Sequence, residues 1–298
     1  MNSFSSFLIV ALFKIVSVLP LSVAQFLGRC CGLMLSFGNS VSKRVTQENI
    51  HLCFAELTQQ QRDELVQQRL VNLGMMVMEL PYVWHRPVPQ VLARIKRVTG
   101  EELISEPLSR GEGVLLLAPH LGNWEVLGLY LGQKYQLTSM FQPPDNPALN
   151  QMILTSRARS GSTLVPTNTA GVKAQLKALK KGEMVAILPD QTPPRGRGVY
   201  APFFNIPAYT ANLSFNLNRR AKAKVVAAYA KRLTGGEFEI VIVPAQEDIY
   251  SDDELVALTA LNQTVEDCVR AIPEQYQWEY KRFRRQPDGN KQFYRKKK

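Results

Sequence analysis

Histidine and cysteine are scarce in this chain. Its 298 residues hold only His51, His85 and His120, and only Cys30, Cys31, Cys53 and Cys268. No C-x-x-C or H-E-x-x-H spacing occurs, which argues against a zinc framework or a histidine-rich metal centre. Four cysteines that include an adjacent pair make no disulfide scaffold either. Any chemistry is therefore expected to need no metal and no cofactor, and the cysteine usage suits a reducing, cytosol-facing location. The G-x-S-x-G turn that would present a serine nucleophile is also missing, and "RSGS" at 159–162 does not supply one. There is no internal repeat and no low-complexity linker, and no acidic residue precedes Glu48.

What is present is apolar and basic. An apolar content of 45% is ample for a folded core, and the formal charge is +11 with a pI near 9.6. Residues 281–298, "KRFRRQPDGNKQFYRKKK", carry nine Lys or Arg against Asp288 alone, so most of the excess sits in a tail. Such a tail is either a solvated end or a contact for an acidic partner: anionic lipid, an acidic protein or nucleic acid. At the other end, "FSSFLIVALFKIVSVLPLSV" (4–23) and "FLGRCCGLMLSFG" (26–38) are strongly apolar. Lys14 near the middle of the first stretch makes a full bilayer crossing costly. Residues 1–40 are expected to form one or two helices lying in or partly crossing a membrane, with Lys14 and Arg29 reaching for the headgroups. The competing readings are a signal peptide with "SVA" (22–24) as its cleavage site, and a buried core helix.

Residues 41–298 are read as one α/β domain ending in the basic tail. Thr58 and Gln61 form a T-x-x-Q capping box opening a helix whose apolar periodicity runs to Pro81. From residue 94 short apolar runs alternate with helical segments: strands at 94–100, 113–120, 135–142, 162–167, 184–190, 222–233 and 238–245, and helices at 123–133, 146–160, 170–181, 209–221 and 253–271. That alternation predicts a largely parallel central sheet flanked by helices, with ligands gathering beyond the carboxyl ends of the strands. His120 and Asp190 fall at two such ends. The Pro- and Gly-rich segment 190–210 reads as a functional loop.

The segment "GVLLLAPHLGNWEVLGLY" (113–130) concentrates the candidate chemistry. An apolar strand stops at Pro119-His120, and Asn123 can cap the following helix, whose N-terminus favours an ionised Glu125. A neutral imidazole takes a proton from a hydroxyl, and a carboxylate can fix its tautomer and stabilise the imidazolium. With no enzyme nucleophile beside them, His120 and Glu125 imply that the substrate's own hydroxyl attacks. The plainer alternative is that His120 and Glu125 merely cap and pair.

"APHLGNWE" resembles the H-x4-D/E signature of membrane-bound acyltransferases, specifically the lipid A secondary (lauroyl or myristoyl type) acyltransferases. "FQPPDNPALNQMILTSRARSG" (141–161), "ALKKGEMVAILPDQ" (178–191), "APFFNIPAYT" (201–210) and "IPEQYQWEYKRFRRQP" (272–287) are similar to that family's successive blocks in order and spacing. The resemblance implies transfer of a fatty acyl group from acyl carrier protein to a hydroxyl on a primary acyl chain of an anionic lipid A precursor. The reaction would proceed at the cytoplasmic face of the inner membrane, with no covalent enzyme intermediate. It makes His120 the general base, Glu125 its orienting acid, and Arg157, in preference to Arg159, the catalytic arginine. Asn123, Arg159, Asp190, Gln191, Arg195 and Arg197 are then substrate-binding candidates, the last two for phosphate or sugar-acid groups. A cationic face would steer the acidic carrier and the anionic lipid, with no role for nucleic acid. The rivals are a glycerophospholipid or glycolipid acyltransferase of the same superfamily and, from another class, a membrane-peripheral basic binding module.

Overall fold

The computed structural model describes residues 3–144, 146–289 and 293–294. The remainder of the basic tail, including Lys291 and Arg295 to Lys298, lies outside the described residues. A helical region leads: α1 (Ser3–Ser17), α2 (Leu21–Phe37), α3 (Val41–Cys53), α4 (Gln59–His85) and the short α5 (Val88–Leu92). Alternation follows through β1 (Ile95–Thr99), α6 (Glu102–Ser109), β2 (Val114–Leu117), α7 (Trp124–Lys134), β3 (Leu137–Phe141), α8 (Pro147–Ala158), β4 (Thr163–Pro166), α9 (Thr169–Lys180) and β5 (Met184–Ile187). The chain closes with β6 (Gly198–Phe203), β7 (Ile206–Ala211), α10 (Leu213–Ala221), β8 (Lys224–Arg232), β9 (Phe238–Pro244) and α11 (Glu254–Ala271).

Seven strands form one sheet in the order β1-β9-β8-β2-β5-β3-β4. The five from β8 to β4 run parallel, and β9 is antiparallel to β8. The fold is therefore α/β with a mostly parallel central sheet flanked by helices, as the alternation predicts. Strands β2 ("VLLL") and β5 ("MVAI") are buried at every position because helices cover both faces. Leu115, Leu117, Val185 and Ile187 pack towards α9 and α11, while Val114, Leu116, Met184 and Ala186 pack towards α7.

Two elements depart from the sequence reading. Segment 190–210 is partly a β-hairpin: β6 and β7 pair antiparallel through a two-residue turn at Phe204-Asn205, both with positive φ. That turn lacks the usual Asn-Gly or Asp-Gly signal, since burial of the Phe204 ring stands in for it. Helix α4 also continues through Pro81 to His85, because Tyr82, Val83 and Trp84 are buried in the core and hold the last turn. Its expected capping box is present, with Thr58 Oγ1 accepting from Gln61 N and Thr58 N donating to Gln61 Oε1.

The apolar N-terminus is two helices. Helix α2 lies close along α4: a Cβ at Gly28 would stand 2.6 Å from Gly74 O, and one at Gly74 would stand 2.2 Å from Gly28 O. Glycine at both positions lets the backbones touch, as in membrane helix pairs. The opposite face of α1 and α2 is open, with Ile15, Phe26, Met34 and Phe37 exposed. Among the described residues no single helix is long and apolar enough to cross a membrane. The pair Leu21–Phe37 and Val41–Cys53 would suffice together by length and composition, but is bent by 80°.

Candidate active site

Strands β2 and β5 are neighbours in register, Leu117 opposite Ile187, and each is followed three residues later by a polar side chain after a proline. The prolines end the ladders, and the equal offsets bring His120 and Asp190 together above the sheet. The carboxylate holds the histidine twice: His120 N donates to Asp190 Oδ2 at 2.9 Å, and His120 Nδ1 lies 2.9 Å from Asp190 Oδ1. An ionised carboxylate only accepts, so Nδ1 carries the proton and Nε2 presents its lone pair. Burial raises the pKa of Asp190, but the attraction of His120 and the hydrogen bonds from its ring and backbone outweigh this and hold the carboxyl below its usual range.

The far side of the imidazole is equally defined. Gln191 Nε2 lies 3.2 Å from His120 Nε2 and 3.4 Å from Gln277 Oε1, so the amide donates to the ring. The indole of Trp124 stands edge-on to the imidazole, with centroids 5.0 Å apart. His120 keeps 13% side-chain exposure, enough for access from one side. Beneath Asp190 lies the fully enclosed hydroxyl of Tyr276, raised well above the ordinary tyrosine range by burial first and then by the carboxylate charge. Arg282 is buried in the same region, donating to Tyr209 O and Thr210 Oγ1, with its pKa lowered by burial.

Glu125 occupies a different place from the one expected. Its carboxylate pairs with Arg157, Nη2 to Oε1 at 2.6 Å and Nε to Oε2 at 3.3 Å, and no hydrogen bond joins it to His120. Asp190 is the carboxylate that orients the imidazole. The physical reason is direction: Glu125 lies in the first turn of α7, where it meets the last turn of α8, while His120 sits before the helix and faces β5. Arg157 also lies over the Phe141 ring at 5.4 Å, and its Nη1 is not engaged by Glu125.

Asn123 and Arg159 both make structural contacts. Asn123 is fully buried, caps α7 by accepting from Val126 N, and donates to Glu79 Oε2 at 2.8 Å. Arg159 donates to the carbonyls of Val83, Trp84 and Arg86, so it closes the carboxyl end of α4. Arg195 and Arg197 are exposed on the loop entering β6. Trp278 is a core aromatic at 1% exposure, and the Tyr280 hydroxyl accepts from Thr192 N. Cys268 and Cys53 are buried thiols, the first pushed up to about 12 and the second well above its ordinary value by burial.

Beside the ion pair opens an apolar cavity. Trp124, Glu125 and Arg157 line it near the chemistry, Ala118 and Leu188 line it at the strand ends, and Leu127, Leu131 and Leu137 are among the residues of its walls. Sequence reasoning missed Trp124, Gln277, Tyr276 and Arg282. The last three belong to 272–287, a block that the resemblance singles out without assigning roles. The contact Gln277 N to His120 O, at 3.0 Å, shows that this block folds over the site.

A family model described as bacterial lipid A biosynthesis acyltransferase matches residues 1–285. The chain is 30% identical over 276 residues to a lipid A biosynthesis lauroyltransferase of Escherichia coli K12, covering 91% of this chain and 88% of that one. It is 27% identical over 280 residues to the myristoyltransferase of that pathway in the same organism, covering 91% and 83%. A palmitoleoyltransferase from that organism is 26% identical over 278 residues, covering 93% and 90%.

Proposed function

This chain belongs to the bacterial lipid A biosynthesis acyltransferase family and is an acyltransferase, and from that premise we propose that His120, held by Asp190, activates an acceptor hydroxyl for direct attack on an acyl thioester. The donor is acyl carrier protein thioester, and the acceptor is a hydroxyl on a primary acyl chain of a lipid A precursor. The observation that carries this reading is the pairing of His120 Nδ1 with a buried ionised carboxylate, which leaves Nε2 as a base beside an apolar cavity.

The acceptor hydroxyl displaces the Gln191 amide from Nε2 and gives up its proton there as its oxygen joins the thioester carbonyl carbon. Such general-base proton transfer is typically worth roughly 10² to 10⁴ in rate, and the charged Asp190 stabilises the resulting imidazolium. Negative charge moves to the former carbonyl oxygen, where Arg157, steadied by Glu125 and by the Phe141 face, supplies free guanidinium donors. Collapse expels the thiolate, which takes the proton from the imidazolium. The high thiol pKa values of Cys53 and Cys268, and the absence of a serine elbow, favour direct transfer without an acyl-enzyme. The acyl chain occupies the apolar cavity. The exposed apolar residues of α1 and α2, with Lys14 and Arg29 also exposed on these helices, seat the enzyme on the cytoplasmic side of the inner membrane.

The test is mass spectrometry of lipid A from cells with and without the gene, together with transfer assays of the purified full chain. Loss of one acyl chain on deletion, restored by wild type and not by His120→Ala, is expected. An unchanged lipid A in a strain without a redundant enzyme would overturn the assignment. Comparing carrier-bound with coenzyme A thioesters tests the donor.

A further inference from the structure

Helix α7 lines the cavity with six residues, and beside Glu125 and Leu129 four of them recur at the spacing of one helix face: Trp124, Leu127, Gly128 and Leu131. Three of these are large, and the fourth has no side chain. Glycine inside a helix is less favourable than alanine by about 0.8–1.0 kcal/mol, so its presence calls for a local reason. Close packing is the usual one, and it explains Gly132 one turn on, where a Cβ would stand 2.3 Å from Ser162 Oγ and 2.9 Å from Ser160 O. At Gly128 it fails, because a Cβ there meets nothing within 4 Å. Its backbone needs no glycine either, since its φ is not among the positive values. What lies beyond its Cα is the cavity.

We propose that Gly128 is a specificity-determining residue that keeps the bore of the cavity open and so sets the longest acyl chain the enzyme transfers. This rests on the reading of the cavity as the acyl-chain site. The chain enters where Trp124 meets the His120 ring and runs along α7 past Gly128. Leu131 lies two turns from Trp124, about 10 Å at the rise of an α-helix. At the far end the cavity wall includes Ser160 and Ser162, whose hydroxyls are bonded to each other at 2.8 Å. A side chain at 128 would project into the bore at mid-depth, excluding the distal methylenes while leaving the thioester end free.

The experiment gives the full-length enzyme in detergent a ladder of saturated acyl carrier thioesters and a lipid A precursor, and compares kcat/KM along the ladder for wild type, Gly128→Ala and Gly128→Leu. A single methylene that no longer fits changes the rate on the order of 10-fold or more. Gly128→Leu should therefore shift the ratio of shorter to longer donors by at least that factor while still transferring the shorter ones. Gly128→Ala should shift it the same way by less, with a thermal midpoint no lower than wild type, so a folding failure of the leucine variant leaves the test intact. Met140→Ala, which widens another wall, should shift the preference towards longer donors. A ladder unchanged in the folded variants overturns the role of Gly128 alone. A wild type that transfers no chain to the acceptor overturns the reading of the site and this inference with it.

Discussion

Asp190 is a fully buried carboxylate whose charge is sustained by the ring and backbone donors of His120, and in the proposed mechanism the chemistry turns on it. Replacing it with Asn removes the charge that steadies the imidazolium and leaves Nδ1 a weaker partner. Asp190→Asn is expected to lower kcat by roughly 10² to 10⁴ with little change in KM, as steady-state kinetics will show. The same group predicts an acid dependence. Its folded pKa lies below the value near 3.9 of an unfolded aspartate, so its stabilisation is present above about pH 4 and lost as pH falls through the folded pKa. Thermal unfolding followed below about pH 4 should therefore fall more steeply for wild type than for Asp190→Asn. Glu125 and Arg157 act as a unit, so Glu125→Gln and Arg157→Ala should be strongly non-additive in a double-mutant cycle of transfer rates.

At the scale of elements, the helix carrying Glu125 and Gly128 is set by a buried network rather than by its own sequence. Glu79 of α4, fully buried, receives Asn123, Gln25 of α2 and the guanidinium of Arg232, which also reaches Asn72. One carboxylate thus ties the N-terminal helices, the cap of α7 and the end of β8 together. Asn123→Ala removes the cap and one of those donors, and should cost about 1 to 3 kcal/mol of stability, measured by denaturant or thermal unfolding. Just before it, Gly122 has φ +63°, and a Cβ there would stand 2.0 Å from Ala230 O, so the turn that aims His120 admits glycine alone. The α2–α4 contact is equally exacting. Gly74→Ala should destabilise by about 1–3 kcal/mol through overpacking, read as a lowered thermal midpoint.

At the scale of the molecule, the end of the sheet that bears His120 and Asp190 is polar, and the N-terminal helices expose an apolar flank. Leu12 and Ile15 of α1 and Phe26, Met34 and Phe37 of α2 are exposed, and the sequence between them carries Lys14 and Arg29 but no acidic residue. Burying each such large side chain in lipid is worth about 1.5–3 kcal/mol. Phe26→Asp combined with Met34→Asp should abolish sedimentation with anionic vesicles while leaving the melting transition in place. By contrast, the lysines at 177–181 precede β5 at the amino edge of the sheet, opposite the end that bears His120 and Asp190.

The class of fold is legible in the residues alone, since apolar runs such as "VLLLA" and "MVAIL" alternating with capped helices have few packed solutions other than a covered, mostly parallel sheet. The sequence also shows that His120 follows the end of a strand, because a proline and a glycine turn can be read locally. It did not reveal which carboxylate the imidazole meets. Glu125 is near in sequence, whereas Asp190 is near in space only because β5 inserts beside β2, and strand order is settled by the packing of helices on both faces rather than by any local signal. Arg159 and Asn123 looked like ligands for the same reason: the α4 carbonyls and the Glu79 carboxylate that engage them come from far along the chain. Strand ends, caps and turns are short-range consequences of residue chemistry. Partnership between buried charges belongs to the tertiary structure, which alone decides what is close enough to share a proton.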